Sequence, residues 1–236
     1  MASKSRLLLV TGASSGIGNT LCQHLLEEGH EIVALARDFR KSEISDEHFY
    51  PVELDLSDLD ALPHHLEPLK TAYSSIDGII CCAGRGQFGS LEEFSYQQIR
   101  ELLNLNFISQ AFVTRAFLPE LKRKKRGDVI FIGSEAALAG SRKGAIYCAS
   151  KFALRGLAQA LRDECARNHV RVTIINPGMV KTGFFDELDF QPGEDDANFI
   201  EAEDIANAIS MVLSARGETV FDEINLSPLK KVVQKK

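Results

Sequence analysis

Several features that would announce a specialised class of protein are missing from these 236 residues. No apolar run approaches the roughly 20 residues that span a bilayer as a helix, so no membrane partner is expected. The opening MASKSR has no apolar stretch of signal-peptide length, which leads to the expectation of a cytoplasmic protein. The five cysteines (Cys22, Cys81, Cys82, Cys148, Cys165) are odd in number, scattered and apolar in context. They predict reduced thiols rather than a disulfide framework. The six histidines show no ligand spacing, and the adjacent His64 and His65 would point in different directions on a helix, so no metal site is expected. Positive charge is not in excess: 27 Lys and Arg against 33 Asp and Glu give a net charge of -6, which argues against nucleic acid as a partner. No linker or repeat breaks the chain.

What is present is a regular alternation. Apolar runs at Leu7–Val10, Glu31–Ala36, Tyr50–Leu54, Ile76–Cys82, Asp128–Ser134 and Val170–Ile175 read as strands, with a short one near Val220–Leu226. Between them lie helical stretches. One begins near Gly16 and ends at Gly29, and a second is capped by Ser57 and runs towards Tyr73. Others cover Ser95–Lys122, with Pro119 near its end, Ala145–Arg167 and Glu203–Leu213. A loop rich in glycine and acids is expected from Pro177 to about Asn198. Strand–helix alternation over residues 1–236 predicts an α/β fold: one domain with a doubly wound parallel sheet and helices on both faces. Ligands of such sheets bind outside the carboxyl ends of the strands. Gly12, Ala36, Gly84, Ser134 and Pro177 all fall at such ends and are expected to meet at one edge.

Two constellations there carry chemistry. The first strand runs into TGASSGIG, a turn of small residues that opens a helix. Gly12 permits a tight turn, Gly16 leaves no side chain between backbone and ligand, and Gly18 lets helix and strand touch. The helix N-terminus then offers free N–H groups to a pyrophosphate. In the second, Tyr147 and Lys151 stand four apart on one helical face, and Ser134 ends a strand thirteen residues before Tyr147. A lysine ammonium beside a phenol is expected to lower the phenol's pKa, and a serine hydroxyl can hold a substrate oxygen against it. These are the parts that move a proton to or from a carbonyl oxygen during hydride transfer.

Together these motifs resemble the classical short-chain dehydrogenase/reductase family over essentially the whole chain, which implies a Rossmann-type fold and a nicotinamide cofactor. The resemblance implies catalytic roles for Ser134, Tyr147 and Lys151, with Tyr147 as general acid/base and Lys151 also bonding the nicotinamide ribose. Asn106, thirteen residues before Pro119, matches the family's fourth catalytic residue, which supports a proton relay through water; Asn104 is two residues out of place. The cofactor set implied is Gly12, Ser14, Ser15, Gly16, Ile17, Gly18, Asp55, Leu56, Ala83, Gly84, Pro177, Gly178, Val180 and Thr182, together with Tyr147 and Lys151. A homodimer or homotetramer is also implied. The chain departs from the family at Cys82, where Asn is usual and helps make the turn rigid, and at Ser109, where Gly is customary.

The residue that closes the second strand meets the adenine ribose. Ala36 is neutral and Arg37 follows, so NADP(H) is expected over NAD(H), which is not excluded; Asp38 is the rival position, as a ribose acid. The reaction expected is interconversion of a carbonyl and a secondary alcohol, on a small molecule. The tail INLSPLKKVVQ resembles reductases of 3-hydroxy acids and serine-like amino acids. Two alternatives are a 3-oxoacyl-carrier-protein type reductase, docked through the basic run Lys122–Arg126, and a sensor that binds NADP(H) without catalysis. Specificity is expected in Arg85–Phe94, Glu135–Arg142 and a lid over Phe184–Ile200.

Overall fold

Both faces of the first strand are apolar, and both are covered. The computed structural model describes residues 5–236; the opening MASK of the stretch read above as signal-free lies outside them. In β1 (Leu7–Thr11) Leu9 packs towards α2 (Leu62–Ala72), α4 (Ser109–Lys124) and α5 (Ala145–Ala166). Leu8 and Val10 pack towards α1 (Gly16–Glu27) and α6 (Ala202–Ser214) on the other face. The side-chain period of two along a strand forces this division. The result is two cores, one on each side of the sheet, and near-continuous apolar strands between them.

The remaining strands are β2 (Glu31–Ala36), β3 (Phe49–Glu53), β4 (Gly78–Cys81), β5 (Gly127–Ile132), β6 (Val170–Pro177) and β8 (Glu223–Leu226). They form a seven-stranded sheet in the order β3-β2-β1-β4-β5-β6-β8, parallel throughout. This is the Rossmann-type arrangement. The chain winds outward from β1 to β3, then returns to the other side of β1 with β4. The strand order therefore reverses between β1 and β4, and a crevice opens above their carboxyl ends.

Four local expectations change. Ser57 does not cap α2, because Asp55 Oδ1 accepts from both its N–H at 2.9 Å and its hydroxyl at 2.7 Å. The helix starts at Leu62 instead, with Pro63 in its first turn, where a missing N–H costs nothing. The stretch from 95 to 122 is two helices, α3 (Tyr96–Leu103) and α4, joined by a π-helical turn at Asn104–Ile108. Pro119 lies inside α4, which runs on to Lys124 and ends at Lys125 in the left-handed conformation (φ 52). The expected loop after Pro177 contains β7 (Phe190–Pro192), which pairs antiparallel with β9 (Val233–Lys235). That partner lies more than forty residues ahead, beyond the reach of any local pattern.

The amino ends of the strands carry a buried ion network. Asp128 accepts from Arg6 Nη2 at 2.6 Å and from Arg171 Nε at 2.7 Å and Nη2 at 3.1 Å. Arg6 also donates to the Asp77 carbonyl at 2.7 Å, and Arg171 to the Ala215 carbonyl at 3.0 Å. The basic run Lys122–Arg126 sits at this same edge, with Lys124 Nζ donating to the Ile76 carbonyl at 2.7 Å. It is therefore remote from the carboxyl-end crevice.

Candidate active site

The crevice above β1 and β4 is a cavity of about 1730 Å³. Every sequence-predicted cofactor residue lines it: the turn Gly12–Gly18, Arg37, Asp55, Leu56, Ala83, Gly84, Tyr147, Lys151, Pro177, Gly178, Val180 and Thr182. Ser134 lines it too, and Asn106 stands directly behind the wall. Asp38 does not line it, although Arg37 and Lys41 do.

The Gly-rich turn is shaped for close approach. Gly12 has φ +67, and a Cβ there would sit 2.8 Å from the Ala83 backbone, so the turns after β1 and β4 can touch only through glycine. A Cβ at Gly18 would collide with the Gly12 carbonyl, which locks the start of α1 onto the strand end. Ser15 precedes α1 without a side-chain cap, and no acid occupies the first turn. Uncapped N–H groups at a helix N-terminus facing a cavity suit a phosphate, so a dinucleotide fits the residues present. At the far end of the cavity, Asp38 holds Arg40 through both oxygens, at 3.2 and 3.0 Å, and these bonds keep its carboxyl below the usual range. Arg37 is exposed and makes no ion pair among the described residues.

Cys82 raised a question about rigidity, and the structure answers it. Thr11 Oγ1 accepts from the Ala83 N–H at 3.0 Å, and Gln110 Nε2 donates to the Ala83 carbonyl at 2.9 Å. Thr11 in turn donates to Gln110 Oε1 at 3.2 Å. Two buried side chains thus fix the turn after β4 without the customary asparagine. Burial pushes the Cys82 thiol well up, which favours its protonated form.

Ser134 follows β5 and begins a short turn, its hydroxyl accepting from the Ala136 N–H at 3.1 Å. Tyr147 and Lys151 rise from the first turns of α5, both buried. Lys151 Nζ donates to the Ile132 carbonyl at 2.9 Å and lies 5.9 Å from the centre of the Tyr147 ring. The expected lowering of the phenol pKa is not what this arrangement gives. Burial dominates and pushes Tyr147 up to about 12, with the Ser134 hydroxyl pulling the other way. Burial also brings Lys151 down to about 8. A side chain removed from water loses its charged form first, and at nearly 6 Å the ammonium does not overcome that.

Asn106 lies on the π-helical turn and is fully buried. Its Oδ1 accepts from the Arg85 N–H at 2.9 Å, and its Nδ2 donates to the Arg85 carbonyl at 3.0 Å and Ser150 Oγ at 3.2 Å. Gly84 lies close to both Asn106 and Lys151: a Cβ added there would sit 3.2 Å from Asn106 Oδ1 and 3.7 Å from Lys151 Nζ.

The sequence reading missed the roof. Phe88, Glu135, Lys231, Val233, Lys235 and Lys236 also line the cavity. Lys231 Nζ pairs with Glu135 Oε2 at 2.7 Å, joining the end of the chain to the residue after Ser134. Phe88 and Glu135 lay inside the specificity segments without being singled out. The tail gave no period long enough to read as a strand. Among the described residues no cluster of His, Cys, Asp and Glu could hold a metal, and no helix is long and apolar enough to cross a membrane.

Residues 6–192 match the model of the short chain dehydrogenase family. An uncharacterised oxidoreductase of Staphylococcus epidermidis is 29% identical over 230 residues, covering 96% of this chain and 98% of the relative. A proposed NAD(P)-dependent gluconate 5-dehydrogenase from Beutenbergia cavernae, solved with bound NADP, is 27% identical with a TM-score of 0.83, covering 94% of each chain. An alcohol dehydrogenase from the archaeon Thermococcus sibiricus, complexed with 5-hydroxy-NADP, shares the fold with a TM-score of 0.86 at 24% identity, covering 97% of this chain and 99% of its own. With the turn that opens α1, Ser134, Tyr147 and Lys151 all lining one cavity, this chain is a member of the short chain dehydrogenase family, an NAD(P)-dependent oxidoreductase.

Proposed function

We propose that the protein interconverts a carbonyl compound and a secondary alcohol with NADP(H). The observation that carries this reading is the shared cavity: Ser134, Tyr147 and Lys151 at one end, the uncapped start of α1 in the middle, and unpaired Arg37 at the other end. When bound, the cofactor supplies or accepts the hydride at the carbonyl carbon. Tyr147 gives its phenolic proton to the carbonyl oxygen during reduction and removes it from the alcohol during oxidation. With its pKa pushed up to about 12, the phenol is protonated at neutral pH, which is the form that reduction uses. Ser134 holds the substrate oxygen, and Lys151 places a positive charge beside the phenol that has lost its proton. Asn106 and Lys151 both lie close to Gly84, which supports a proton relay from Lys151 through water held near Asn106.

Preference for NADP(H) is supported by the adenine end. Arg37 lines the cavity and makes no ion pair among the described residues, and Asp38, the competing ribose acid, is paired with Arg40 and does not line the cavity. A charged hydrogen bond to a 2′-phosphate contributes ~1.5–3 kcal/mol, or roughly ten- to a hundredfold in affinity.

Steady-state kinetics with both cofactors test the whole reading. Tyr147→Phe should reduce kcat by ~100–10,000-fold with cofactor affinity retained, and Arg37→Ala should bring the NADPH and NADH efficiencies together. Near wild-type turnover in the phenylalanine variant removes Tyr147 from the chemistry. An unchanged cofactor ratio in the alanine variant removes Arg37 from phosphate recognition.

A further inference from the structure

Around the Tyr147 phenol the cavity wall is made of rings. Phe88, from the loop after β4, has its ring centre 5.0 Å from that of Tyr147, and Phe184, after β6, lies 6.2 Å from it. Phe190 on β7 meets Phe88 edge-on at 5.0 Å. Phe185 closes the set, 5.1 Å from Phe184 and 5.8 Å from Phe190. These rings come from four separate parts of the chain and all line the cavity. A carbonyl oxygen placed at Tyr147 and Ser134 leaves the body of its molecule against them.

Several cations of the same region are engaged by protein groups. Lys231 donates to Glu135 at 2.7 Å and Arg85 to Glu101 at 3.0 Å. Lys236 donates to the Phe185 and Asp186 carbonyls. Arg142, Lys143 and Lys235 also line the cavity, exposed and without an ion pair among the described residues, but none is part of the ring cluster. A carboxylate placed directly against the rings would meet aromatic faces, whose quadrupoles are negative towards it.

We propose that the substrate is a ring compound without a carboxylate, an aryl or fused-ring ketone or the matching alcohol, seated against Phe88, Phe184 and Phe190. The assignment rests on the carbonyl–alcohol reading above and chooses among its substrates. The reaction is unchanged in form: the ketone carbon gains hydride from NADPH, its oxygen gains the Tyr147 proton, and NADP+ and a secondary alcohol result. Flat rings gain from edge and offset-stacked contacts beyond simple burial, and two such contacts amount to roughly ten- to a hundredfold in efficiency.

The test compares three ketones with the full-length enzyme and NADPH: acetophenone, 2-octanone with the same number of carbons, and 3-oxobutanoate. Acetophenone should exceed both others in kcat/KM by about tenfold or more. Phe88→Leu and Phe184→Leu, which keep the wall apolar, should narrow the gap to 2-octanone by about tenfold through KM for acetophenone. Equal or better turnover of 2-octanone or 3-oxobutanoate by the wild-type enzyme overturns the ring assignment and leaves the oxidoreductase reading intact. NADPH binding, seen by its fluorescence, without oxidation by any of the three ketones likewise overturns the ring assignment, whereas absence of NADPH binding overturns the NADP(H) reading on which it rests.

Discussion

The two edges of the sheet treat buried charge in opposite ways. At the amino edge Asp128 sits between Arg6 and Arg171, and the two guanidinium groups go on to backbone carbonyls. At the carboxyl edge Lys151 is equally buried but donates to a single carbonyl, and no carboxylate pairs with it among the described residues. In the first cluster each charge has an opposite charge against it, although Arg6 Nε makes no hydrogen bond. The second is left short, beside a cavity, with its pKa held near 8. Burial alone does not mark a functional charge; burial beside a cavity without an opposite charge does.

Removing one member from each edge should change stability with opposite sign. The largest effect is expected for Asp128→Ala, which leaves two buried guanidinium groups without their shared acid and should destabilise by about 3–5 kcal/mol in urea unfolding. An effect below about 1 kcal/mol would mean that water or backbone replaces the carboxylate, and the distinction between the edges would weaken.

Lys151→Met should do the reverse, raising stability at pH 7 by up to about 3 kcal/mol while activity is lost. The folded state holds Lys151 near 8 against an ordinary 10.5. Between those pH values the unfolded chain binds the additional proton, so wild-type stability should climb with pH across that window. In the methionine variant this contribution to the climb should vanish. A variant less stable than wild type at pH 7 would place Lys151 among the structural charges.

The smallest effect belongs to the rim. Lys231→Met breaks an exposed ion pair with Glu135, and such pairs contribute under about 1 kcal/mol. Its melting temperature should therefore move little. A loss comparable with that of Asp128→Ala would show the tail to be part of the core rather than a cover.

How much of this was visible in the sequence follows the same division. The strands buried on both faces were legible because apolar runs bounded by glycine and polar residues have few other interpretations. Leu7–Val10 and Val170–Ile175 are examples. Gly12, Ser134, Tyr147 and Lys151 were legible because each occupies a fixed place at a strand end or on a helix face. The helix start at Leu62 was not, since Ser57 can cap a helix or bond Asp55, and the sequence does not decide between them. The roof was legible only in part: Phe190 fell within the expected lid over Phe184–Ile200, but that Phe88 and Lys231 line the same cavity is set by tertiary contact alone. The phenol's pKa was misjudged for a related reason. Its sign depends on how deeply Tyr147 is buried and how far the ammonium stands from it, and neither is written in the spacing of the two residues.

The pairing of β9 with β7 has a consequence in time. The cavity is bounded by Gly12 at one end of the chain and by residues 231–236 at the other. At a synthesis rate of ~5–20 residues per second, roughly 10–45 s separate the appearance of these two walls. During that interval β1 can find β2 and β4, but β7 has no β9 to pair with. A nascent chain can therefore assemble its phosphate cradle well before it can cover a substrate.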